Sequence, residues 1–182
     1  DQLTVSWCEF AATVAGQSAV QLGGSGETTT PRITLHHNWW SNNLAAALPA
    51  VDSGCLHQYS DYFALSGNSS GTVGAGTAQL LSERNRYCGL AEPLTKTGSA
   101  LIRANENIYE SCTGGYVAGT DNVFTPSYSY TLLASADIAT LVGTLAGNHS
   151  GAAYVDEPTG RARITTEATT VNPGGDFTLT AT

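Results

Sequence analysis

The stretch at residues 33–40 (ITLHHNWW) contains a pattern that recurs along the chain, and this recurrence restricts the fold more than any other feature. Counted from Asn38, apolar residues lie five and three positions earlier, at Ile33 and Leu35, and an aromatic residue lies two positions later, at Trp40. Such alternation with a period of two is typical of a β-strand. One short strand motif repeated at intervals of about 20 to 30 residues is typical of a solenoid.

The copies share a small or polar central residue that is followed two positions later by an aromatic residue. The central positions are Cys8, Asn38, Ser60, Asn85 and Asn107, and the aromatic positions are Phe10, Trp40, Tyr62, Tyr87 and Tyr109. Neighbouring strands lie about 4.8 Å apart, so stacked asparagine amides can hydrogen-bond to each other and to carbonyls of the bend. We therefore predict an all-β fold, a solenoid of parallel strands with one internal column of polar side chains and one of aromatic rings.

Composition limits the partners. The chain has 182 residues and a net charge of −8, with only seven Lys and Arg. No basic patch can therefore neutralise a row of phosphates, which excludes nucleic acid as a partner. No run approaches 18 apolar residues, so we predict no insertion into a membrane.

The repeat fades after Gly114, and this divides the chain. We predict one β-helical domain at 1–147, in which residues 116–147 wrap the last coil and residues 134–145 form a short helix. A β-rich tail follows at 148–182, with strands at 162–171 and 177–181, and its style is that of a second module. The chain opens in a strand without a cap, which predicts further coils upstream and an end that can associate with another copy.

The four cysteines show no CxxC spacing, so we predict no metal site from them. Cys88 and Cys112 each follow an aromatic position on successive coils, where Cα atoms can come within the bridging range of about 4.4–6.8 Å. We predict a disulfide between these two residues. Cys8 and Cys55 are expected to remain reduced and buried.

Five segments resemble, in the same order, the family 1 pectate lyases. They are LTVSWCEF, ITLHHNWW, HQYSDYF, AQLLSERNRY and SYSYTLLASADIATLVGTLAG. The similarity covers roughly residues 3–147 and corresponds to the C-terminal two-thirds of such an enzyme. The resemblance implies a right-handed parallel β-helix and a secreted or cell-surface protein, whereas VNPGGDFTLTAT is similar to the opening strand of immunoglobulin-like modules.

The resemblance also implies an activity whose residues are missing here. Family members cleave polygalacturonate by calcium-assisted β-elimination, in which an arginine two positions before a proline removes a proton. Pro49 marks that place, but the base position is Ala47, and a further basic position is Asp52. The segment that binds calcium in the family corresponds to Ala11, Ala12 and Thr13. An alanine neither holds a cation nor accepts a proton.

The remaining candidates for a base are Arg32, which stands near the place of a family lysine, and His36 and His37. The competing interpretation is structural, with one histidine facing solvent and the other filling a bend. Alternation points Trp39 outward, on the face where relatives hold sugar, so that its indole either stacks on a pyranose ring or packs under the 41–54 loop. Asp52 is either a carbohydrate ligand or a turn residue.

Two functions remain open at this point. The first is a non-catalytic β-helix that binds carbohydrate or serves as a structural or assembly unit, for which we expect no cofactor. The second is an active polysaccharide lyase, which requires calcium. The substitutions at Ala47, Asp52 and Ala12 favour the first function.

Overall fold

A computed structural model describes residues 3–12, 19–24, 30–41, 44, 48–65 and 70–147. These residues form three parallel sheets. One five-stranded sheet contains β1 (Leu3–Ser6), β4 (Arg32–His36), β7 (Cys55–Tyr59), β10 (Gln79–Glu83) and β13 (Leu101–Asn105). The second contains β2 (Glu9–Phe10), β5 (Trp39–Trp40), β8 (Tyr62–Ala64), β11 (Arg86–Cys88) and β14 (Ile108–Glu110). A four-stranded sheet contains β3 (Gln21–Leu22), β6 (Ala50–Val51), β9 (Ser70–Gly74) and β12 (Glu92–Lys96).

Consecutive coils place equivalent residues in register, as the predicted parallel β-helix requires. Ile33 of β4 pairs with Leu3 of β1 and with Leu56 of β7, and Leu80 of β10 pairs in turn with Leu56 and Ile102. Each of the first four coils therefore contributes one strand to each wall, the coil of β13 and β14 contributes to the first two walls, and the apolar side chains of the three walls meet inside. The predicted solenoid is confirmed.

A sharp bend between the first and second walls is built the same way in every coil. The residue before each polar rung has a positive φ although it is not glycine: Trp7 (57°), His37 (56°), Ser60 (53°), Arg84 (45°) and Glu106 (52°). This left-handed conformation is uncommon for residues with a Cβ atom. Its recurrence at one place in five coils shows that the bend, and not the local residue type, dictates it.

The polar column is confirmed with one correction. Backbone and side-chain hydrogen bonds connect Asn38, Asp61, Asn85 and Asn107 in sequence. Ser60, which we predicted for this column, instead occupies the left-handed bend position. The apolar signal identifies the correct register, because Leu56 lies five positions before Asp61 just as Ile33 lies five before Asn38.

The aromatic column has the same one-residue correction, since Phe63 and not Tyr62 lies inside. The stack runs through Phe10, Trp40, Phe63, Tyr87 and Tyr109, with ring centroids 4.3, 5.3, 4.5 and 5.4 Å apart. Such ring pairs contribute about 0.5–1.5 kcal/mol each beyond the burial of area. Tyr116 continues the stack at 3.8 Å from Tyr109.

The C-terminal segment wraps several coils and does not only cover the last one. Thr120 pairs antiparallel with Arg103 of β13, and the Phe124 amide donates to Gln79 Oε1 of β10 at 2.9 Å. The segment ends in helix α1 (Ile138–Leu145), and the Gly147 amide then donates to the carbonyl of Trp7 at 3.0 Å. The wrapping segment is thus confirmed, and it spans the wall from β13 back to the first coil.

Within the described ranges, no helix is long and apolar enough to cross a membrane. The predicted tail at 148–182 lies outside those ranges.

Candidate functional site

The resemblance implies that the family's catalytic loop is the connection between β5 and β6 in this chain. Ala47 lies outside the described residues, while Pro49 and Asp52 lie within them. Asp52 Oδ2 accepts a hydrogen bond from Gln21 Nε2 of the preceding coil at 3.1 Å. Its backbone joins neighbouring coils as well, donating to the Leu22 carbonyl at 2.9 Å and accepting from Thr77 at 3.2 Å. These contacts match those of a turn residue that connects three coils.

The segment expected to bind calcium in the family does not fit the ion. Ca²⁺ takes six to eight oxygen ligands, chiefly from carboxylates and carbonyls. Ala11 is exposed and Ala12 packs against the core, so neither side chain supplies an oxygen, and Thr13 lies outside the described residues. Nor does the described part of the chain contain a group of three His, Cys, Asp or Glu side chains that could hold a metal.

His36 and His37 contact each other and are both buried. Their Nδ1 atoms lie 2.7 Å apart, the His36 ring stacks on Tyr59 at 4.8 Å, and the His37 ring stacks on Trp7 at 4.6 Å. Burial lowers the pKa of His37 to about 4, so its ring is neutral near pH 7. A base hidden from solvent between aromatic rings does not reach a polymer. These contacts support a structural role for both residues, but the prediction that one histidine faces solvent is wrong, since both are buried.

Arg32 is not brought together with the histidines. It is the exposed first residue of β4, and it pairs in register with Cys55. His36 lies four residues along the same strand, roughly 13 Å away at about 3.3 Å per residue.

A second polar cluster, which we did not predict, lies where the C-terminal segment crosses the first wall. His57 Nε2 lies 3.0 Å from Glu83 Oε2, and His57 Nδ1 lies 2.6 Å from the Tyr128 hydroxyl. Tyr130 donates to the same Glu83 oxygen at 2.7 Å, and Asn105 donates to the other at 2.9 Å. Part of this cluster could have been predicted from SYSYT, because alternation places Tyr128 and Tyr130 on the same face of an extended segment.

The hydrogen bonds of this cluster keep Glu83 negatively charged. Burial by itself raises the pKa of Glu83, but the hydrogen bonds from His57, Tyr130 and Asn105 outweigh it and lower the pKa to about 2. His57 is almost completely buried. The cluster therefore holds the C-terminal segment against the coils.

Trp39 faces outward as predicted, but helix α1 covers it. Its side chain is half-buried and packs with Ile138 and Val142 of the helix, beside Trp7 and Tyr62. The structural alternative to sugar stacking is therefore packing under the helix, and not under the 41–54 loop.

The predicted disulfide is not formed. All four cysteines are free thiols. Cys88 lies on the outer face, where its thiol donates to Glu110 Oε2 at 3.3 Å, whereas Cys112 packs against the core. Cys88 pairs in register with Glu110, so Cys112 lies two residues farther along the next coil. Ser111, between Glu110 and Cys112, has a positive φ of 51° that interrupts the alternation, so Cys112 turns inward while Cys88 stays on the outer face.

Comparisons with known proteins agree with this architecture. The family model for pectate lyase matches residues 1–154. Jun a 1, the major allergen of cedar pollen, has a similar structure with a TM-score of 0.65 and 17% sequence identity, over 79% of this chain and 46% of the allergen. A pectate lyase from Bacillus sp. N165, crystallised in complex with trigalacturonate, gives a TM-score of 0.57 and 23% identity, over 79% of this chain and 48% of the enzyme.

This chain thus spans about half the length of these two structures, and both share its right-handed parallel β-helix. A search of curated proteins found no significant match.

Proposed function

Because this chain belongs to the pectate lyase family, we propose that it is an extracellular β-helix that does not cleave polygalacturonate and that acts as a carbohydrate-binding or structural unit. One observation carries the proposal. The position where the family has a basic residue is Asp52, and its carboxylate hydrogen-bonds to Gln21 of the preceding coil. A carboxylate there repels the uronate groups that the family's cation attracts.

The distribution of positive charge supports the same proposal. Three of the described cations form ion pairs within the fold, namely Arg84 with Glu106, Arg86 with Glu110, and Lys96 with Asp121. Arg103 hydrogen-bonds to the backbone of Asp121 and to Asn122. Polygalacturonate carries one carboxylate per sugar, so a chain with a net charge of −8 and paired cations suits an uncharged ligand better.

A structural role, as opposed to carbohydrate binding, is supported by helix α1, which packs over Trp39. An indole beneath helix α1 has less free surface for a pyranose ring than an exposed one. With a structural role we also propose end-to-end association of copies, because the strand edges at the end of a solenoid can pair with another chain.

The alternative is an active lyase that uses calcium, and family membership favours it. It requires a base other than the residue at position 47 and calcium ligands other than Ala11 and Ala12. Among the described residues, His36 and His37 are buried and Arg32 lies apart from them, so this alternative has the weaker support.

Calorimetric titration with trigalacturonate and with its fully methyl-esterified form tests the proposal, because esterification removes the negative charges and leaves the sugar rings and their linkages unchanged. With calcium present, we expect no binding of the acid. Binding of the ester identifies a carbohydrate-binding unit, and binding of neither ligand identifies a structural unit. Calcium-dependent binding of the acid to the unmodified chain, with an affinity that Asp52→Lys does not increase, contradicts the charge argument.

A further inference from the structure

The rungs of the polar column share one backbone contact. In the four rungs after Cys8, a side-chain oxygen accepts the amide of the preceding rung: Asn38 from Cys8 at 3.0 Å, Asp61 from Asn38 at 2.7 Å, Asn85 from Asp61 at 2.9 Å, and Asn107 from Asn85 at 2.8 Å. Asp61 therefore uses Oδ1 just as the asparagines do. What distinguishes it is the second atom of its side chain.

In the asparagine rungs, the second polar atom of the side chain is the amide nitrogen, and it donates to an equivalent backbone carbonyl of the preceding coil each time. Nδ2 of Asn38, Asn85 and Asn107 donates to the carbonyls of Val5, Gln58 and Ser82, at 3.0, 3.0 and 3.3 Å. Val5, Leu35, Gln58 and Ser82 are consecutive partners in the register of the first wall. The corresponding acceptor for Asp61 is therefore the carbonyl of Leu35. An ionised carboxylate has no hydrogen to give to it.

The surroundings of Asp61 do not compensate a negative charge. Its side chain is completely buried, and its donors are the uncharged backbone of Asn38, the Gln58 amide at 3.1 Å and the Trp40 indole at 3.4 Å. Burial raises the pKa of Asp61 to about 7 although these hydrogen bonds lower it. A buried charge without a counter-ion is costly, and such a group tends to become neutral.

The two titratable groups that interact with Asp61 stay neutral around pH 7. Among the described residues these are Cys8, two rungs before Asp61, and Tyr87 of the aromatic column, and burial raises the pKa of both. Asp61 is therefore the member of this group whose charge changes near neutral pH.

We propose that Asp61 is a proton-sensitive rung, which in the folded chain holds a proton on Oδ2, donates it to the carbonyl of Leu35, and weakens the column when it ionises. The protonated carboxyl thus takes the place of an asparagine amide: Oδ1 accepts from the Asn38 amide, and the Oδ2 hydroxyl donates to Leu35 while its lone pairs accept from Gln58 and Trp40. Ionisation turns the Leu35 contact into one between two acceptors.

The direction of the pH effect follows from linkage. The folded state binds the proton more tightly than the unfolded state, whose carboxyl has its ordinary pKa of about 3.9. The stabilising effect is complete below about pH 4, declines as the unfolded chain loses its proton, and is gone above about pH 7.

Unfolding by urea at pH 4 and pH 8, in the unmodified chain and in Asp61→Asn, isolates this effect. Other groups that titrate, such as His37, are present in both proteins and cancel in the ratio of their folding constants. We expect the folding constant of the unmodified chain, divided by that of Asp61→Asn, to fall roughly 500-fold from pH 4 to pH 8. A ratio that does not change with pH overturns the proposal.

A second measurement keeps the test decisive if the variant does not fold. The ¹³C signal of the Asp61 carboxyl in the unmodified chain is expected to titrate near pH 7, together with an amide shift of the Asn38 backbone that donates to it. Titration near pH 4 contradicts a rung that is protonated in the folded state.

Discussion

Asn85→Ala tests whether the polar column stabilises the fold or only fills a bend. Asn85 is completely buried. Its Oδ1 accepts the amide of Asp61 at 2.9 Å, and its Nδ2 donates to the carbonyl of Gln58 and to the hydroxyl of Ser82, both at 3.0 Å. Alanine removes these contacts and leaves the Asp61 amide and the Gln58 carbonyl without their partners.

The expected loss follows from those two backbone groups. An unsatisfied buried donor or acceptor costs about 1–3 kcal/mol, so two cost about 2–6 kcal/mol. Because the interior is closely packed, water does not readily enter to replace the amide. We expect the free energy of unfolding to decrease by about 4 kcal/mol, measured by urea denaturation followed by circular dichroism.

Asn107→Ala is the matched control. Asn107 is the last asparagine of the column and only half-buried, and it makes the same kind of contacts, with the Asn85 amide at 2.8 Å and the Ser82 carbonyl at 3.3 Å. Water can satisfy these groups, so we expect a loss of about 1 kcal/mol. Equal losses in the two variants, or a loss below about 1 kcal/mol for Asn85→Ala, refute the argument from burial.

Three further outcomes are expected. Trp40→Ala opens a gap in the aromatic column and should destabilise the fold by about 3–5 kcal/mol in the same urea assay; a loss under about 1 kcal/mol would show that the stack collapses around the gap. The pKa of Glu83 is lowered to about 2, so its contribution to stability is present above about pH 4.5 and lost as the pH falls towards 2; Glu83→Gln should flatten the decline of the urea midpoint in that window, and an unchanged decline would contradict this. Mass spectrometry of a non-reduced digest should find Cys88 and Cys112 as free thiols, whereas a bridged peptide would mean that the two coils are offset differently.

The solenoid could be predicted from the sequence because the spacing of the repeated motif determines how the strands of successive coils align. Asn38, Asn85 and Asn107 are unusual inside a core and recur with an aromatic residue at a fixed offset, so a column could be inferred without coordinates. Ser60 was wrong because Tyr62 and Phe63 are both aromatic, so the offset of two residues fits Ser60 as well as Asp61. Leu56, five positions before Asp61, held the correct register.

The cluster around His57 was harder to predict, because its members come from distant parts of the chain. Tyr128 and Tyr130 meet His57 and Glu83 only after the C-terminal segment has crossed the wall, and no local period encodes that path. The covering of Trp39 by helix α1 depends on the same crossing. Strand periodicity predicts which way a side chain points, but not what covers it.

The central claim is that this pectate lyase relative does not cleave polygalacturonate, and the most direct measurement is the absorbance of the unsaturated product. The unmodified chain and an Ala47→Arg variant are incubated with polygalacturonate and calcium. We expect no product from either protein, because loss of a general base alone costs about 10²–10⁴ in rate, and restoring it leaves Asp52 and the calcium segment unchanged. Calcium-dependent product from the unmodified chain at an ordinary enzymatic rate would contradict the claim.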